Sequence, residues 1–493
     1  MKTMQTRNYI IGLFTITAVS LLGSCSKSFL EVQPKGKVIA QSTSDYDMML
    51  NNAGLVSNGG DVSVPMGDEI IAFDNYFTSA ASIRSQRLFR WDDDIYDDGI
   101  FANEMATLMA NLYTCNKIIN EVPASTYGTD AQKQAILAEA RVNRAYINFN
   151  LINLYGKPYN AATAATDPGY PIVTAADLTA TSFTRASVQE MYDFILKDIT
   201  GSIPYLPVTI KSRIRIGKAA AELLLGKVYV FMAKFDEAKK QLDAALTDLA
   251  STSSGGTLTN MGLYDLNVTM ISGGTWGWKA NSATFFSGVP AGQVNTENIC
   301  WRQSGTNYWS YNLSEYTIST ETYNLFVSTD KRLNYFTIRP YLESTGTYPL
   351  TGALRRNAPS FIQNGMTMPE LYLLRAECAA RLGDTTTAKA DLLTLRVKRM
   401  SSADATVPTG LTQKELIDFV LNERTREFAL QGYRWFDMRR LSVDPLYSST
   451  TYSHRLYGTS GTLTSTFTLK PERLTLRLPL AVMAQNPEME NNP

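Results

Sequence analysis

The chain has 493 residues, with 46 Lys and Arg set against 46 Asp and Glu, and a single histidine. Balanced charge supplies no long-range field for nucleic acid or an anionic membrane surface. One histidine excludes histidine-cluster zinc sites and leaves any Ser-His-Asp or Cys-His triad dependent on His454, which sits in a polar run that reads as an exposed loop.

Lys2 and Arg7 precede an apolar run from Tyr9 to Leu22, followed by Gly23-Ser24-Cys25. Basic, then apolar, then small residues predict a secretory signal over residues 1–24. The run falls short of the about 20 residues that a membrane span needs. Leu22-Gly23-Ser24-Cys25 resembles the bacterial lipobox, which implies that Cys25 is lipidated and opens the mature chain. Acyl chains contribute about 0.8 kcal/mol per buried CH2, so several of them hold a neutral domain on a bilayer. The following Ser26 is not the aspartate that retains some lipoproteins at the inner membrane, so outer-membrane placement is expected. Residues 25–40 read as a tether and 41–493 as one domain.

Residues 35–98 are mixed, with a short helix over 44–53. The run Trp91 to Asp98 holds five aspartates without the spacing, glycine or glutamate of a calcium loop, and reads as a solvated turn. Met105, Leu108, Met109, Leu112, Ile118 and Ile119 predict a helix over 101–122. A second follows over 131–155, after turn signals at Pro123 and Gly128. A third is expected from about Ala186, capped near Thr184, to Tyr205. Cys115 and Cys378 lie on helical apolar patterns and read as small buried hydrophobes. The cysteine spacings match no metal motif.

An internal repeat comes next. Gly226, Tyr229, Ala233, Ala238, Leu242 and Ala245 recur 150 positions later as Ala376, Ala379, Gly383, Ala388, Leu392 and Leu395. Small residues at these points let two antiparallel helices approach closely, as in tetratricopeptide units. Such pairs cannot bury their faces singly, so a stacked scaffold is expected over about 99–250 and 366–441. Between the repeats, 251–365 loses helical periodicity except near 320–327. It is rich in Ser, Thr, Asn, Gly and aromatics, as an irregular functional insert would be. A helix over 412–430 follows, with Gln431-Gly432 as its stop. Arg434, Arg439 and Arg440 then interleave with Tyr433, Trp435, Phe436 and Met438. This stretch reads as a buried corner where arginines pair with Glu423, Glu427 and Asp437.

Asn422-Glu423-Arg424, Arg426-Glu427-Phe428 and Gly432-Tyr433-Arg434-Trp435-Phe436-Asp437 with Arg439 resemble the C-terminal signature of the SusD/RagB family. Ser28 to Pro34, Arg144-Ala145-Tyr146, Leu154-Tyr155-Gly156 and Leu478-Pro479-Leu480 resemble that family's tether, opening helices and tail. Ala481 departs from it, because a second proline is common there. The resemblance implies a mostly α fold: helix pairs, a loop-rich insert, and no catalysis. It also implies a surface lipoprotein that captures an oligosaccharide, or in some members a peptide, for a TonB-dependent, SusC-like outer-membrane transporter.

Neutral sugars are recognised by aromatic rings on their C–H faces and by amides and guanidinium groups at their edges. Trp276, Trp278, Trp301, Asn307, Tyr308, Trp309 and Tyr311 in the insert have that composition on predicted loops, as do Trp91 and Tyr96 before the first helix pair. No phosphate loop, dinucleotide fingerprint or nucleophile elbow is present, so no cofactor, metal or nucleic acid is expected. A protein-binding helical adaptor and a surface glycosidase, which needs two carboxylates at a set separation, are the competing readings.

Overall fold

The computed structural model describes residues 40–78, 81–252, 261–282, 288–304, 315–340, 345–359 and 362–493. One-turn helices aside, the first elements are α1 (Thr43–Met49), β1 (Ile70–Phe73), α2 (Ile83–Arg90), α3 (Asn103–Glu121) and α4 (Asp130–Tyr155). Thr129 caps α4 with a reciprocal bond from Gln132, which satisfies two amides that the first turn leaves open. α5 (Val188–Thr200) packs on α4. Its capping box is Ser187 with Glu190, so the helix begins after the expected Thr184 cap; the local pairing of Ser187 and Glu190 decides the start.

The repeats fold as the spacing predicted. α6 (Lys218–Phe231) packs on α7 (Phe235–Thr252), and α8 (Met368–Arg381) on α9 (Thr385–Arg396). α7 and α8 touch, so the two pairs stack into one layer, and α10 (Gln413–Phe428) closes over α8. Ala238, Leu242, Ala245, Ala388, Leu392 and Leu395 are fully buried. A Cβ on Gly226 would stand 2.7 Å from Leu242 Cγ, which is why the helices can meet at this point. Cys115 and Cys378 are buried among apolar side chains, as expected.

α11 (Tyr433–Leu441) follows a sharper break than the sequence suggested. α10 ends at Phe428, Leu430 takes a left-handed φ of 59°, and Gly432 (φ 79°) opens α11 instead of closing α10. Ser63 lies so close that a Cβ on Gly432 would meet its Oγ at 2.3 Å. Arginines of this corner meet Asp437 and Glu423 as predicted, whereas Arg434 pairs with Asp68 at 2.5 Å, Arg439 donates to the Gly156 carbonyl at 2.6 Å, and Glu427 is met by arginines from outside the stretch. Asp437 accepts from Arg424 Nε (3.0 Å) and Arg440 Nε (2.8 Å), and Arg440 reaches Glu377 at 2.7 Å. Glu423 is held by Arg396, Arg426 and Arg332, the last at 2.8 Å.

The insert is more regular than its lost periodicity implied. It contains β2 (Asn298–Ser304), β3 (Tyr316–Ile318), β4 (Phe336–Thr337) and β5 (Arg355–Arg356), and β6 (Ile362–Thr367) leads into α8. β2 pairs with β6 and β4 with β5, both antiparallel. A third sheet, ordered β3-β1-β7-β8, joins the amino-terminal region, the insert and the hairpin of β7 (Ser453–Tyr457) and β8 (Leu463–Thr468). His454 corrects the sequence reading. It lies on β7, fully buried, stacked on Trp91 (3.8 Å between centroids) and Phe89 (4.4 Å), with its ring nitrogens 2.6 Å from the Phe89 and Gly67 carbonyl oxygens. The polar composition of 450–468 hid two strands, because neither alternates apolar with polar residues.

Candidate functional site

An open groove of about 530 Å³ lies within the insert, and among the described residues no charged side chain lines it. Trp278, Tyr323, Phe336 and Tyr348 supply rings; Asn281, Asn334 and Thr351 supply amides and a hydroxyl. Each ring is set by its own element. The one-turn helix Thr320–Tyr323, capped by Ser319, carries Tyr323. The ring lies so close to Gly352 (φ 82°) that a Cβ there would meet its Cδ1 at 2.6 Å. Gly352 is therefore required twice, by its backbone angle and by the ring. Tyr348 stacks on Phe73 of β1 at 5.3 Å and meets Tyr76 edge-on at 5.6 Å. Trp278 packs on the cluster of Leu266, Met270 and Trp276 and remains half-buried. Asn281 takes a left-handed φ of 55°, which asparagine tolerates better than most residues. Asn334 donates to the Met270 carbonyl at 2.6 Å, which fixes its amide at the wall.

Buried ion pairs hold the groove to the scaffold. Arg332, two residues before Asn334, pairs with Asp330 (2.6 Å) and with Glu427 of α10 (2.9 Å), in addition to Glu423. Arg399, just after α9, pairs with Glu427 and with Glu297 of the insert, each at 2.8 Å. These charges are desolvated, and the neighbouring guanidinium groups hold the Glu423 carboxyl well below the ordinary carboxylate range. The guanidinium groups of β5 are used away from the groove: Arg355 donates to the Arg339 carbonyl and Arg356 to that of Ala429, both at 2.9 Å.

The residues singled out from sequence fall in different places. Trp278 lines the groove. Trp276 is buried, edge-on to Tyr264 at 5.0 Å, and packs the groove's outer support. Trp301, on β2, packs against Gly292, whose missing side chain leaves room for the indole. Trp91 is buried at the left-handed C-cap of α2, and its Nε1 donates to the Met66 carbonyl at 3.1 Å. Tyr96 donates to Glu104 at 2.5 Å and accepts from Arg84 Nε at 3.1 Å, beside the first helix pair. The acidic turn around it is used in pairing: Arg90 with Asp92, Arg473 with Asp93, Arg477 with Asp94 and Arg87 with Asp97. Asn307, Tyr308, Trp309 and Tyr311 lie outside the described residues, as does Cys25. Sequence reasoning missed Tyr323 and Tyr348. Their only local signals are a short helical turn and the turn-rich run around Tyr348, neither of which points to a groove until β1 and Gly352 are in place.

Comparison with known proteins follows the same outline. Residues 366–493 match the family described as "SusD family", and residues 28–230 the one described as "Starch-binding associating with outer membrane". SusD-like protein P2 of Formosa agariphila is 23% identical over 383 residues, covering 70% of this chain and 73% of the relative. A SusD superfamily protein from Bacteroides thetaiotaomicron superposes with a TM-score of 0.71 at 18% identity, over 92% of this chain and 100% of its own. A putative sugar binding protein from Bacteroides vulgatus does so at 0.67 and 18%, over 93% and 99%. At such identities the solved structures speak for the fold. The family is one of non-catalytic binding proteins, in line with a site of rings and amides. With its signature corner buried as α10 and α11, its stacked helix pairs, and both halves of the chain matching, this protein belongs to the SusD/RagB family.

Proposed function

We propose that the protein is a lipid-anchored lipoprotein of the outer membrane, facing the cell exterior. It captures a neutral oligosaccharide and delivers it to a TonB-dependent, SusC-like transporter by equilibrium binding, with no bonds made or broken. The observation that carries this reading is the groove: four aromatic residues and several amides and hydroxyls around 530 Å³, with no charged side chain among the described residues that line it. Rings meet sugar C–H faces and amides bridge hydroxyls, while the absence of charge disfavours ionic ligands. The family matched by residues 28–230 is described as starch-binding and associating with the outer membrane, and the Bacteroides vulgatus relative is described as a putative sugar binding protein. Among the described residues no helix is long and apolar enough to cross a membrane, so attachment in this reading falls to Cys25.

Calorimetric titration against plant, host and microbial glycans tests the capture step. Binding of a neutral glycan, weakened about tenfold or more by Trp278→Ala, is expected. Binding of peptides and no glycan would replace the sugar reading with a peptide one. Palmitate labelling of the wild type and of Cys25→Ser, followed by co-purification with outer-membrane channels, tests anchoring and delivery.

A further inference from the structure

A second concavity lies where the amino-terminal end of α3, the 166–187 loop and the carboxy-terminal tail converge, and it shares no residue with the groove. Its apolar half, about 240 Å³, is built from Met105, Met109, Tyr170, Leu478, Val482 and Met489. Its polar half, about 630 Å³, runs between the loop and residues 485–490, and Phe183 and Met489 line both halves. The walls are tied together. Asn486 accepts from the Phe183 amide at 2.9 Å, and Arg185 donates to the Glu490 carbonyl (3.1 Å) and to Asn492 (2.9 Å). The lip is apolar and open: Phe101, which lines it, is 56% exposed.

We propose that this face docks an extended polypeptide segment that seats one large aliphatic or aromatic side chain in the apolar half and carries lysine or arginine beside it. Three features select that occupant. The apolar half is small and Met-lined, so it suits a single side chain of variable shape. The adjoining polar cleft is lined by the exposed Gln485 amide and the Ser182 and Thr184 hydroxyls, which suit a peptide main chain and would be wasted on an acyl chain. The cleft is acidic: Glu488 and Glu490 line it, are exposed and take part in no ion pair among the described residues. The only cationic side chain lining the cleft, Arg185, has its guanidinium taken up by the carbonyls of Tyr155, Pro168, Gly169 and Glu490 and by Asn492. An incoming cation therefore meets unopposed negative charge.

Fluorescence anisotropy of the full mature protein tests this with four probes: a labelled peptide with two leucines between lysines, its glutamate-for-lysine counterpart, its serine-for-leucine counterpart, and dodecyl maltoside as a competitor. The lysine–leucine peptide is expected to bind about tenfold or more tightly than either counterpart, and more weakly as salt rises. Met109→Gln on α3 and Val482→Asn on the tail should each reduce its affinity about fivefold or more, and a photoreactive leucine analogue should crosslink to residues 101–109 or 478–489. Glycan titration of the same variants checks that they remain folded. Equal binding of the glutamate peptide, indifference to both substitutions, or occupancy by the detergent with no peptide bound would overturn the proposal.

Discussion

The helix pairs and the insert between them settle the same problem, desolvation of their contact faces, by opposite means. In α6–α7 and α8–α9 the contact is made by small and apolar residues, and closeness depends on a missing or minimal side chain at Gly226 and Ala376. The insert meets the scaffold through charge. Asp330, Arg332 and Glu297 interlock with Arg396, Arg399, Glu423, Arg426 and Glu427, all buried or nearly so. Apolar packing is tolerant of direction, whereas ion pairs require particular atoms to meet. A repeat needs the first, because stacking only has to exclude water. A loop-rich region that must hold four rings in fixed places gains from the second.

The comparison is broken most severely at Glu423. Glu423→Ala leaves three guanidinium groups without their shared carboxylate, and a loss of about 3–5 kcal/mol is expected in urea unfolding. A loss under about 1 kcal/mol would mean that the network contributes little to joining the two regions.

Titration separates the ion network from the uncharged buried acids. Burial pushes Glu69, beside β1, from its ordinary 4.5 up to about 8, and Glu315, beside β3, likewise to about 8. The unfolded chain gives up these protons above about pH 4.5, while the folded chain keeps them until about pH 8. Stability should therefore fall as pH climbs through that window, by about 1.4 kcal/mol per unit of separation at most for each group. Glu69→Gln should flatten the slope. Glu423 and Asp437 act in the other direction: their folded carboxyls stay ionised far into acid, so the stability they supply is lost as pH falls below the ordinary carboxylate range. A stability profile level between pH 5 and 8 would remove the assignment of Glu69 and Glu315.

The scaffold is probed at equivalent positions of its two repeats. Gly226→Val forces a branched side chain into Leu242 and should cost about 1–3 kcal/mol. Ala233 holds a left-handed φ of 57° at the turn where the second repeat has Gly383 at 80°. Ala233→Gly should therefore stabilise by up to about 1 kcal/mol, a gain that thermal denaturation can read. The smallest effect on the fold belongs to the groove: Trp278→Ala should change stability by about 0.5 kcal/mol or less while weakening glycan binding, since the ring is only half-buried.

Periodicity and spacing carried the scaffold. Helix faces repeat every three or four residues, so α3, α4, the two repeats and α10 could be read locally, and the 150-residue offset exposed their stacking. The corner was legible for a related reason: Glu423, Glu427 and Asp437 among so many arginines demand pairing once apolar neighbours bury them. What the chain could not declare by itself is where distant segments meet. Four arginine partners in the ion networks, Arg332, Arg381, Arg396 and Arg399, come from outside the signature, and no local pattern links them to it. β7 and β8 lack alternation, and His454 is buried only because Trp91 and Phe89 arrive from more than 300 positions away to enclose it. The groove is the clearest case. Trp278 could be nominated from composition, but Tyr323 and Tyr348 become its companions only when Gly352 and Phe73 seat their rings, because a binding surface is a matter of through-space geometry and local sequence encodes only the conformations of neighbours.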